Sequence, residues 1–244
     1  MPEVFPPCPQ DVESRRIAKI WRQFCCPLAQ SWSFNNVMIR NSEVSEIDPP
    51  AGLARFFRSK PPKLWGAGDP AILSRQLVGI ISARQIDSDL ALKSSQLLKE
   101  LTLLNELAFV GGWHSPLEEQ AFHILLAQTA TIVSCVPKSL NRVVLSADLE
   151  GRVGQGQILL LTHCSPRAKR ISREASIRRN DLVRDLAAAL VVLSAPVGSA
   201  SLALAKSALR RGQPVFTPDH RMNRDLLACG ALAATIENIR AALE

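Results

Sequence analysis

From Leu64 onward, short apolar runs alternate with helix-length segments, and this rhythm constrains the fold more than any other feature of the chain. "QLVGIIS" (76–82) precedes "SDLALKSSQLLKELTLL", a helix that Asp87 or Ser88 is placed to cap. "LAFVGG", "PLEEQAFHILLAQ" and "TATIVSCV" follow. Then come "QILLLTH", "RNDLVRDLAA", "ALVVLS", "SLALAKSALRRG" and "PVFT", with helices near "NRDLLACG" and "TIENIRAAL" at the end. Strands covered on both faces read as unbroken apolar runs. The spacing therefore predicts βαβ units and an α/β fold, a parallel sheet with helices on both faces. Ligands of such sheets bind beyond the carboxyl ends of the strands, where the strand order reverses. The candidate segments are Ser82–Asp87, Gly111–Glu118, Pro137–Arg142, Ser194–Ser201 and Pro218–Arg224.

The first sixty residues differ. "MPEVFPPCPQ" is Pro-rich, "VESRRIAKIWRQF" sets Ile17, Ile20, Trp21 and Phe24 along one helical side, and "IDPPAGLARFFRSKPP" allows a short helix between prolines. The expected organisation is a small, mostly helical segment over 1–60 and one domain over 61–244.

Twenty-nine Lys and Arg stand against 22 Asp and Glu, for a net charge of +7. The excess is local: thirteen cations and four acids lie between Gly151 and Arg224, and the remainder is slightly acidic. An anionic partner is the reading this favours. The six cysteines (8, 25, 26, 135, 164 and 229) show neither metal-ligand spacing nor a disulfide framework. No metal or cofactor is expected. With no secretory signal and no apolar stretch of bilayer length, the expected location is the cytoplasm, away from membranes.

Three strand ends carry chemistry. Arg84, after the first core strand, can fork onto a phosphate or lie over a helix end. Gly111 and Gly112 permit a sharp turn; Trp113 beyond them is a packing lid or a stacking surface for a base, and His114 has no acid partner evident in sequence. The richest stretch runs from the basic residues at Arg167–Arg179 into "APVGSASLALAKSALRRG" (195–212). There Gly198, Ser199 and Ser201 form a strand-to-helix turn whose free N–H groups make an anion site. Neither a P-loop nor a dinucleotide-binding glycine pattern is present.

The order of "PPKLWGAGDPAIL", "VGIISARQ", "AFVGGWHSPLE", "RRNDLVRDLAAALVVLSAPVGSASLALAKSALRRGQPVFTPD" and "LLACGA" resembles the DprA/Smf DNA-processing family over residues 61–234. That resemblance implies a Rossmann-like domain that binds single-stranded DNA without catalysing a reaction on it. It also implies a homodimer that passes DNA to a RecA-type recombinase during transformation. The DNA and phosphate contacts it implies are Arg84, Arg178, Arg179, Asn180, Gly198, Ser199, Ser201, Lys206, Arg210 and Arg211. Lys206 and Arg210 share a helix face.

Departures from the family pattern are specific. Its Gly-Ser-Arg is Ser82-Ala83-Arg84 here. Its Ser-Gly-x-Ala-x-Gly-Ile-Asp turn runs from Gly111 to Glu118, with His114 in the alanine position. Its Arg-Asn-Arg is Arg179-Asn180-Asp181, and Ala200 and Leu204 replace a glycine and a threonine. No counterpart of the family's C-terminal winged helix is expected after "IRAALE". Two rival readings stay open: a nucleotide sensor or nucleotide-processing enzyme on the same fold, and a degenerate scaffold that retains only an interaction surface.

Overall fold

The computed structural model describes residues 36–39, 43–50, 63–168 and 171–244. The helices expected within 12–24 and 51–60 lie outside the described residues.

Eleven strands and seven α-helices alternate through the described residues: β1 (Asn36–Met38), β2 (Ser45–Ile47), β3 (Leu64–Ala67), β4 (Gln76–Ser82), α1 (Ser88–Leu101), β5 (Leu107–Gly111), α2 (Pro116–Ala127), β6 (Thr131–Cys135), β7 (Val144–Ser146), α3 (Ala147–Gly154), β8 (Ile158–Thr162), α4 (Arg173–Leu186), β9 (Ala189–Ser194), α5 (Ala200–Leu209), β10 (Val215–Thr217), α6 (Arg224–Ala228), β11 (Leu232–Ala233) and α7 (Ile236–Leu243). The nine-stranded sheet has the order β11-β10-β9-β4-β5-β6-β8-β3-β2. Strands β11 through β8 are parallel, β3 is antiparallel to β8, and β2 is antiparallel to β3. A separate ribbon pairs β1 with β7 antiparallel.

The parallel core follows from the unbroken apolar runs: every residue of β5, β8 and β9 is buried. Phe109 and Phe216 are among the largest fully buried side chains. The chain lays down β4 centrally, builds outward to β8, then returns to place β9 on the other side of β4. The strand order thus reverses between β4 and β9, which is where such sheets open a ligand crevice.

Polar side chains fix where the helices begin. Asp87 accepts the N–H groups of Asp89 and Leu90 to cap α1. Ser115 and Glu118 form a reciprocal capping box on α2, with Pro116 in its first turn. Helix α4 starts at Arg173, capped by Ser172, earlier than the sequence reading placed it. The cations from Arg173 to Arg179 are therefore helical, and neighbours in sequence face different ways: Arg178 is exposed while Arg179 is buried.

Two further differences from the sequence reading concern the amino-terminal side. Residues 36–38 and 45–47 are strands, although a mostly helical segment was expected there, and β2 joins the main sheet. Residues 36–244 cluster as one compact unit. The β7–α3 segment was also not anticipated; a three-residue strand leaves too short an apolar run to read.

Candidate functional site

The carboxyl edge of the sheet gathers the ends of β4, β5, β6, β8 and β9 with the first half of α4. At the crevice itself, Ala83 N–H donates to Ser194 O at 2.8 Å, joining the two strands that diverge there. Asn223 is fully buried beneath the β9 end. Its Oδ1 accepts from Ala195 N–H at 2.9 Å, and its Nδ2 donates to Leu193 O and Pro218 O at 3.1 Å each. One side chain thus locks the β9 and β10 loops into register.

Arg84 stands in the loop after β4, exposed and without a hydrogen bond or ion pair to another described residue. Gly198 adopts φ +79°, and a Cβ there would meet nothing within 4 Å, so this turn needs glycine for its backbone and leaves open space beside it. The two serines beyond are already engaged. Ser199 Oγ caps Leu202 N–H at 3.1 Å, and buried Ser201 donates its hydroxyl to Ser194 O at 2.9 Å. Their side chains are thus spent on shaping the helix terminus.

Between β5 and α4 lies a buried charge network. Glu118, 2% exposed, accepts Ser82 N–H (2.8 Å) on Oε1 and His114 N–H (3.0 Å) and Ser115 N–H (3.4 Å) on Oε2. His114 Nδ1 lies 2.8 Å from the same Oε2. Arg179, also 2% exposed, donates to Gly112 O at 3.0 Å and to Asn180 Oδ1 at 2.8 Å, and its Nη2 lies 3.0 Å from His114 Nδ1. Burial works to raise the Glu118 pKa, but the His114 hydrogen bond and charge and the Ser82 amide outweigh it and hold the carboxyl below its ordinary value. Burial also lowers the Arg179 pKa against the pull of Glu118. Buried Cys135 nearby is pushed up to about 12 by the same lack of solvent. His163 is lowered by burial and then by the charges of Arg178 and Arg179; its Nδ1 is buried without a partner among the described residues.

The glycine pair explains how this network closes. A Cβ on Gly111 would stand 2.8 Å from the Trp113 ring, and one on Gly112 would overlap the Arg179 guanidinium. Trp113, held at φ +51°, folds back over Gly111 and against Phe122 with ring centroids 5.4 Å apart. It acts as a packing lid.

The candidate residues therefore divide. Arg84, Arg178, Arg179, Asn180, Gly198, Ser199 and Ser201 come to the carboxyl edge. Arg178 is exposed and paired at 2.6 Å with Glu174, a surface contact of small energetic weight. Lys206 lies down α5, and Arg210 and Arg211 just past its end; the helix runs away from that edge at about 1.5 Å per residue. Arg210 donates to Lys206 O, and Arg211 is bound to buried Asp185 at 2.8 Å. What sequence reasoning missed is the pairing of His114 with Glu118. The signal was the Ser-x-x-Glu spacing of Ser115 and Glu118, and the acid that His114 lacked is four residues along the same turn. A separate cleft of about 660 Å³, lined by Ile39, Ala67, Leu145, Glu150 and Gly156 among others, opens at the opposite edge. No group of three or more His, Cys, Asp or Glu among the described residues could hold a metal ion, and no helix among them is long and apolar enough to cross a membrane.

A mostly parallel sheet with helices between its strands, and a glycine-shaped turn and exposed guanidinium groups at its carboxyl edge, defines a Rossmann-like α/β protein. The chain belongs to the DNA recombination-mediator protein A family, which matches residues 44–241. DNA processing protein A of Helicobacter pylori, described for its single-stranded DNA binding mode, shares the fold with a TM-score of 0.68. It is 22% identical, with 82% of this chain and 95% of that one covered. DNA processing protein A of Streptococcus pneumoniae also gives a TM-score of 0.68, at 18% identity, covering 93% of this chain and 78% of that one. No curated protein matches the sequence.

Proposed function

We propose that this protein is a non-enzymatic, single-stranded DNA-binding member of its family, working in the cytoplasm as a homodimer that presents bound DNA to a RecA-type recombinase in DNA uptake or recombination. Family membership across residues 44–241 is the observation that carries this reading. The site geometry supports it. Arg84 and Arg178 offer exposed guanidinium groups, and the Gly198 turn offers the N-terminal amides and dipole of α5. Arg179 serves from behind, holding the β5 loop through Gly112 O, and Asn180 accepts a hydrogen bond from it. Lys206, Arg210 and Arg211 extend the positive surface along α5 without belonging to the crevice.

The test compares labelled single- and double-stranded oligonucleotides in a gel-shift assay at two salt concentrations. Preferential retention of the single strand, weakening with salt, is the expected result. Absence of binding at low salt overturns the reading. A thermal shift with nucleoside monophosphates in place of DNA would point to a nucleotide-binding protein instead.

A further inference from the structure

We propose that His114 is itself a DNA contact, engaging a backbone phosphate as the imidazolium so that binding takes up one proton from solvent. The inference rests on the DNA-binding reading above and concerns a position where the resembling family has alanine. His114 follows β5, the strand beside β4, and its side chain is 37% exposed. One ring nitrogen is held from within: Nδ1 lies 2.8 Å from Glu118 Oε2 and 3.0 Å from Arg179 Nη2. The other, Nε2, has no partner among the described residues.

The two contacts at Nδ1 make opposite demands. A neutral imidazole carries a proton on one nitrogen and a lone pair on the other. If Nδ1 accepts from Arg179, its lone pair points at the Glu118 carboxylate. If Nδ1 donates to Glu118, the outward Nε2 is a bare acceptor that no phosphate can use. Only the imidazolium satisfies Glu118 at Nδ1 and offers an N–H outward at Nε2. The groups facing the ring are Glu118 from α2 and Arg179 from α4. The first favours the cation and the second opposes it. A phosphate arriving at Nε2 adds a second anion and tips this balance toward protonation.

The experiment measures fluorescence anisotropy of a fluorescein-labelled oligo-dT from about pH 5.5 to about pH 8 at fixed ionic strength, the range in which histidine ordinarily titrates. Calorimetry in two buffers of different ionisation enthalpy then counts the protons taken up. The wild-type protein should lose affinity roughly five- to tenfold across the range, as expected for a charge-assisted hydrogen bond. His114→Gln and His114→Asn should bind with little pH dependence and no proton uptake, their folding confirmed by thermal melts, whereas His163→Gln should keep the wild-type slope. A slope that survives in both His114 variants, or that vanishes in His163→Gln, overturns the inference while leaving the DNA-binding reading intact. A wild-type protein that binds no DNA at any pH overturns both.

Discussion

Arg179 donates to the carbonyl of Gly112 at 3.0 Å, and only a residue without a side chain leaves room for that guanidinium. The pair ties helix α4 to the end of β5, and the same cation faces Glu118 through His114. Arg179 is thus a structural cation, and this alters how its loss should be read. Arg179→Ala leaves a buried carboxylate without its counter-charge and a carbonyl without its donor, at a cost of roughly 3–5 kcal/mol. Gly112→Ala should be destabilising in the same assay because the new methyl displaces the guanidinium. Urea unfolding followed by circular dichroism checks both. An Arg179→Ala midpoint equal to wild type would contradict the assignment.

Acid should weaken the protein through Glu118. Its folded pKa is lowered from the ordinary value of 4.5, so it stabilises the native state fully above that value. As pH falls below 4.5 toward the folded pKa, the unfolded chain binds the proton first and this contribution is lost. Urea midpoints measured between pH 7 and pH 3 should fall in that window, and Glu118→Gln should have a lower midpoint at pH 7 and a shallower fall.

Asn223 makes three hydrogen bonds from a fully buried position, joining the β9 end to the β10 loop. Asn223→Ala leaves an amide and two carbonyls unsatisfied and should cost about 2–4 kcal/mol. Hydrogen exchange should show the loss first at Ala195 N–H. Protection there equal to wild type would argue against the lock.

Phe109 sits fully buried in β5, and Phe109→Ala should cost about 3–5 kcal/mol by opening a cavity. A thermal melt measures it. The loss should appear as a drop in midpoint with the DNA preference of the remaining folded protein unchanged.

The central sheet was legible in sequence for a definite physical reason. Strands covered on both faces, such as β5, β8 and β9, must be apolar at every position, so runs like "ILLLT" stand out. The antiparallel edge was not legible. Strands β2 and β3 have three and four residues and take their conformation from pairing with β8 and with each other. The site was half legible. Arg84 and the Gly198 turn follow from their places after β4 and β9. The Glu118 network did not, because it joins residues at 82, 114, 118 and 179 that meet only when β4, β5 and α4 are assembled. Likewise, the cations from Arg167 to Arg179 read as one basic run, yet the helical turn sends Arg178 to solvent and Arg179 to the core.

The most direct test of the account is the salt dependence of oligo-dT binding, followed by anisotropy between about 50 and 200 mM salt. Each phosphate neutralised on a single strand contributes about 0.7 to the slope of log affinity against log salt. Arg84→Ala and Arg178→Ala should each weaken binding and reduce that slope by about 0.7, and the double variant by about 1.4. Arg211→Ala, whose guanidinium is bound to Asp185 down α5, should leave the slope unchanged. Loss of binding confined to the Arg211 variant, or a wild-type protein that fails to bind at about 50 mM salt, would contradict the account.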